Sequence, residues 1–105
     1  MIDNTTLSAV LKSKCNSLHA TGNILTFTCD KKKRGINLYE LANLCKIWAA
    51  SQDYHLNTTL NINTGYWSCE SHNTSTEGYD YISEFNLAEP IAIFNATSWL
   101  VNNKK

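Results

Sequence analysis

The stretch Cys69-Glu70-Ser71-His72 sets a thiol and an imidazole three positions apart, and this pair is the nearest thing in the chain to a reactive or metal-binding motif. Zinc takes four nitrogen or sulfur ligands in a tetrahedron, so the pair supplies only half a site. Cys29, Cys45 and His55 are the candidates for the other half, but none forms a second close pair, and no metal site is expected. As a nucleophile and its base, Cys69 and His72 would still need an orienting third group and oxyanion donors. Glu70, Glu77, Asp80 and Glu84 are dense enough to include a glycosidase-like pair, yet nothing in the sequence around Asp80 and Glu84 would bury either carboxyl and raise its pKa. The four glycines are never clustered, which excludes a phosphate-binding loop and a dinucleotide fingerprint. Catalysis and cofactor binding are therefore not expected. One phosphate-binding candidate remains, the run Lys31, Lys32, Lys33 and Arg34, placed just before a helix start whose free amides would add to its charge.

These residues need elements to hold them. Asp3 and Thr5-Thr6 offer capping side chains ahead of Leu7, Val10, Leu11 and Leu18, a helical stripe that predicts a first helix over about 4–18. Gly22-Asn23 breaks the chain, and alternation of Leu25, Phe27 and Cys29 with threonines predicts a strand over 24–29. After the charged turn 30–35, Asn37 caps a helix over 37–52 carrying Leu38, Leu41, Ala42, Cys45, Trp48 and Ala49 at helical spacing. Three strands follow as an antiparallel meander over 56–85, reversed at Asn63-Thr64-Gly65 and at the polar stretch 72–78. Pro90 suits the first turn of a last helix over 89–102. The fold class is α+β, a three- to four-stranded mostly antiparallel sheet with its helices mainly on one face. At 105 residues one domain, 1–105, is expected.

Strand alternation divides the meander into two faces. Leu56, Leu60, Ile62, Trp67, Cys69, Tyr79, Tyr81 and Phe85 go toward the helices. Asn57, Thr59, Asn61, Asn63, Tyr66, Ser68, Glu70, Asp80, Ile82 and Glu84 go outward. A mixture of tyrosine, isoleucine, amides and carboxylates suits a wet, specific protein interface, and Asn61, Tyr66, Glu70, Asp80, Ile82 and Glu84 are the candidate partner-binding residues.

Formal charge sums to +0, which removes the bulk attraction that nucleic-acid binders use, so no direct nucleic-acid partner is expected. The balance hides a polarity, because seven basic groups against three acidic ones lie in residues 1–52, and six acidic groups with no Lys or Arg lie in 53–103. No apolar run reaches the roughly twenty residues that cross a bilayer, and no secretory signal pattern is visible, so a cytoplasmic protein is expected. Cys15, Cys29, Cys45 and Cys69 are irregularly spaced among apolar neighbours and read as buried free thiols.

Between Leu38 and Val101, the helix ending in Lys46-Ile47-Trp48-Ala49, the meander through Gly65-Tyr66-Trp67-Ser68-Cys69 and the closing Glu89-Pro90-Ile91-Ala92-Ile93-Phe94 resemble small phage and prophage accessory proteins, in particular the phage αβα sandwich type. That resemblance carries over no functional residue. It implies a role in phage–host conflict, where small proteins that block host defences, anti-CRISPR proteins among them, are compact non-enzymatic binders. The expected function is thus a non-catalytic inhibitor of a host protein such as a nucleic-acid-binding defence complex. The alternatives are a small-ligand or nucleotide-binding domain using Lys31–Arg34, and a structural homodimer.

Overall fold

A computed structural model describes residues 2–74, 78–85 and 88–103, the strand at 78–85 through its backbone pairing alone. The elements run α1 (Asn4–Leu11), β1 (Cys15–Thr21), β2 (Ile24–Cys29), β3 (Lys32–Asn37), α2 (Leu38–Ser51), β4 (Tyr54–Asn61), β5 (Tyr66–Asn73), β6 (Gly78–Phe85) and α3 (Glu89–Asn103). The α+β class holds. The strands form two antiparallel three-stranded sheets, β1-β2-β3 and β4-β5-β6, and the second is the expected meander.

The first helix is shorter than its apolar stripe predicts. Asp3 caps it by accepting a 2.7 Å hydrogen bond from the Thr6 amide. At the other end Lys12 turns left-handed, at φ 56°, and its amide donates back to the Ser8 carbonyl. The Cys15 amide then donates to Ser8 Oγ at 2.9 Å, which folds the chain back along the helix as a strand. Leu18, which fits the helical stripe by spacing, belongs instead to β1. Tertiary pairing with β2 overrides a periodicity that only three further apolar residues support.

Two tight reversals build the small sheet. Thr21 pairs with Ile24 across Gly22-Asn23, and Gly22 supplies the positive φ of 60° that a two-residue hairpin demands. Cys29 pairs with Lys32 across Asp30-Lys31, and both of these residues take positive φ, 51° and 69°, as a type I′ turn requires. The charged run therefore splits, with Lys31 in the turn and Lys32, Lys33 and Arg34 on edge strand β3, where lysines oppose pairing with another chain.

The cysteine reading needs a correction. Cys15 and Cys29 are joined in a disulfide, and only Cys45 and Cys69 are buried free thiols. The cause is register: the two residues lie directly opposite each other on β1 and β2, and the Asp30 amide donates to the Lys14 carbonyl one step outside them. That makes them a non-hydrogen-bonded pair, the kind whose side chains approach most closely. A sequence read as helix through residue 18 gives no such pairing.

Buried side chains from all three helices and both sheets form one cluster, with Leu7, Leu25, Leu41, Ile93, Phe94 and Leu100 among the largest that are fully enclosed. Asn37 caps α2 through a 2.8 Å bond from the Tyr39 amide, as its position before Leu38 predicts. α2 touches β3 on one side and β4 on the other, while α3 lies across all three strands of the meander. The thinnest dimension of the molecule is 18 Å. Since each packed layer adds about 10 Å, that thickness fits two layers, with the helices on one face of the meander.

Candidate functional site

The outer face of the meander is built by alternation along β4 and β5. Leu56, Cys69 and Ser71 are buried, and the residues between them, His55, Asn57, Thr59, Glu70 and His72, are turned toward solvent or half-buried. Register then sets the rows: His55 beside His72, Asn57 beside Glu70, Thr59 beside Ser68 and Asn61 beside Tyr66. On the other side of β5, Glu70 stands opposite Ile82 and Ser68 opposite Glu84. The backbone pairing thus brings five of the six partner-binding candidates into adjacent rows. Asp80 falls where the β5–β6 register shifts after Ser71, and the side chains of Asp80, Ile82 and Glu84 lie outside the described residues.

Three features of this face have a physical cause. Glu70 and His72, two apart on β5 and hence on the same side, bring Oε2 and Nε2 within 3.6 Å, a contact that is an ion pair only when the imidazole is protonated, with both side chains partly open to water. Asn61 closes the β4–β5 turn, its Oδ1 accepting from the amides of Asn63 at 3.0 Å and Thr64 at 3.3 Å, while Gly65 takes the positive φ of 76°. Tyr66 follows directly and stays 43% exposed, and with Thr59, Asn61, Thr64 and Ser68 it lines a shallow depression of about 410 Å³.

Two core assignments fail at the same end. Ile62 is 86% exposed and Leu60 is 41% exposed, so neither is core. The reversal begins one residue earlier than the Asn63-Thr64-Gly65 signal implies, because Asn61 already pairs with Tyr66 and Ile62 is the first loop residue. Ile62 in the turn and Tyr66 on the outer face put two exposed apolar groups at this end beside the polar rows, while Leu60, opposite Trp67, lies on the inner face where the sheet runs out from under the helices. The Asx turn of Asn61 is the signal that locates this end, since a side chain that caps the following amides ends the strand.

The remaining reactive candidates do not converge. Cys69 and His72 differ by an odd number of strand positions, which sends the thiol into the core and the imidazole to the outer face. Burial pushes the Cys45 and Cys69 thiols up to about 12, so both stay protonated and weakly nucleophilic at neutral pH. Among the described residues no group of three or more His, Cys, Asp or Glu side chains is placed to hold a metal ion. Glu89, half-buried at the start of α3, accepts a hydrogen bond from the Thr58 hydroxyl and ties that helix to β4. The Lys31–Arg34 run is spread along β3, Lys32 about 17 Å and Arg34 about 10 Å from Asn37 at the start of α2 at the usual rise per strand residue, so it is not gathered at the helix amides.

Among the described residues no helix is long and apolar enough to cross a membrane. No protein-family model, curated protein or solved structure matches the chain.

Proposed function

We propose that this protein is a non-catalytic protein-binding module, encoded by a phage or prophage, which inhibits a host protein such as a CRISPR-type defence complex in the host cytoplasm. The observation that carries the reading is the exposure of Ile62 and Tyr66 at one end of the outer meander face, beside its polar rows. Interfaces take their energy from a few central apolar and aromatic anchors and their register from surrounding polar groups, and this face offers both. The resemblance to small phage accessory proteins supplies the biological setting.

Strand alternation in the sequence assigns Asp80 and Glu84 to the face that carries Glu70, and an acidic face would suit a partner with a basic groove. Affinity capture from host lysate tests the reading, comparing the native protein with an Asp80→Lys, Glu84→Lys variant of unchanged melting temperature. A stoichiometric host protein that is lost in the variant supports it. Equal capture by both removes the electrostatic face from the account.

A further inference from the structure

We propose that the disulfide-closed end of the small sheet is a docking surface for the phosphodiester backbone of nucleic acid, separate from the meander face and independent of the function proposed for it. The Cys15–Cys29 link and the bond from the Asp30 amide to the Lys14 carbonyl bring two distant stretches of sequence side by side. Lys12 and Lys14 thereby join Lys31, Lys32, Lys33 and Arg34, all of them exposed. Six cations against the single acid Asp30 give this end a local charge of +5 in a chain whose total is +0. Counting charge over the whole chain conceals the patch, because the opposing carboxylates belong to the second half of the sequence.

The cations are not consumed within the fold. Among the described residues the one contact that can form an ion pair is His72 with Glu70, on the other sheet. Arg34 lies over the Phe27 ring at 5.8 Å, a contact that steadies its stem and leaves the guanidinium donors outward. Edge protection explains charges on β3, but it does not explain Lys12 and Lys14, which precede β1.

Beside the cations runs a trough of about 540 Å³ whose lining includes Ser17, Thr26, Thr28, Lys33 and Gly35. Hydroxyls and a lysine suit phosphate oxygens, and Gly35 opposite Thr26 keeps the trough open by carrying no side chain. By register Lys33 lies on the trough face with Thr28, and Lys32 and Arg34 on the other face of the edge strand with Cys29 and Phe27, so the cations flank the strand edge and do not converge on one point. Such an arrangement holds a single phosphate poorly and a row of phosphates well, since each contact releases counterions and the gains accumulate along a polyanion. The disulfide and the two-residue turn fix the array before binding, so little ordering entropy opposes it.

Fluorescence anisotropy with labelled duplexes of about 20 base pairs, DNA and RNA of the same sequence, tests the proposal on the oxidised protein between 50 and 200 mM salt. Four or five phosphate contacts predict a slope of log K against log salt of about −3.6 to −4.5, a loss of roughly 150- to 500-fold across that range. Lys14, Lys32 and Lys33 have ordinary backbone angles, so a Lys14→Ala, Lys32→Ala, Lys33→Ala variant keeps the fold. It should flatten the slope by about 3 while its melting temperature is unchanged. Binding of either duplex with that slope change supports the surface, and the relative affinities name the nucleic acid. No binding at 50 mM salt, or a variant with the parent's slope, overturns it.

Discussion

The two sheets reach the same antiparallel geometry by different means. The meander is covered on one face by α3 and shares in the enclosed cluster through Leu56, Cys69 and Ser71. The small sheet buries Leu25, Phe27 and the cystine, and relies on two two-residue turns and one covalent cross-link. Both sheets are packed against helices, the meander under α3 and the small sheet against α1 and α2, and the small sheet adds two tight turns and a cross-link to the burial of Leu25 and Phe27. The difference extends to their surfaces, since the meander shows tyrosine, amides and a carboxylate and the small sheet shows lysines.

Three perturbations break or sharpen that contrast. Phe94→Ala, at a fully enclosed position on α3, should cost about 3–5 kcal/mol and lower the melting temperature of the whole chain, as read by denaturant unfolding. A loss under 1 kcal/mol would mean that α3 is not what holds the meander. Reducing the Cys15–Cys29 disulfide, which spans 14 residues, should cost about 3 kcal/mol. Hydrogen exchange should then speed first at residues 15–37 and leave the meander amides protected. Uniform acceleration would show that the two sheets stand or fall together. The same pair reports the compartment, because cysteines of a cytoplasmic protein are kept as thiols, and alkylation in intact cells before lysis should then label Cys15 and Cys29.

Asp3→Ala removes the cap of α1, the helix that leans on β1, and should cost about 1 kcal/mol. Hydrogen bonds, the largest from the Thr6 side chain, hold the Asp3 carboxyl below its ordinary value of 3.8. Its contribution is therefore complete above that value and lost as pH falls through the lower folded one. Stability curves of the two proteins should converge on acidification below pH 3.8, and parallel curves would contradict the role of the carboxylate.

Much of this fold is legible in the sequence. Asn37 before Leu38, Pro90 after Glu89, and the alternation from Leu56 through Cys69 identify α2, α3 and the meander because local preference and burial agree there. The first 37 residues are harder, since Leu7, Val10, Leu11 and Leu18 match a helix by spacing while the chain leaves the helix at Lys12 to pair with β2. The disulfide was hidden by the same misreading, as no spacing rule replaces knowledge of register. At the candidate site, Tyr66 and Glu70 follow from strand alternation, and Asn61 is placed correctly but serves the turn as well as the face. Ile62 departs from its expected inward position because a reversal one residue longer moves it out of the strand, and Leu60 keeps its strand pairing with Trp67 but lies too near the turn to be covered.

The central claim is that the outer face of the meander, with Ile62 and Tyr66 exposed at one end, is the partner-binding surface. Its most direct test is affinity capture from host lysate with the native protein and with an Ile62→Lys, Tyr66→Ala variant, both exposed positions where substitution leaves the core intact. The account predicts a stoichiometric host protein on the native bait and its loss from the variant, with the two baits melting within a degree or two of each other. The same protein captured equally by both would contradict it.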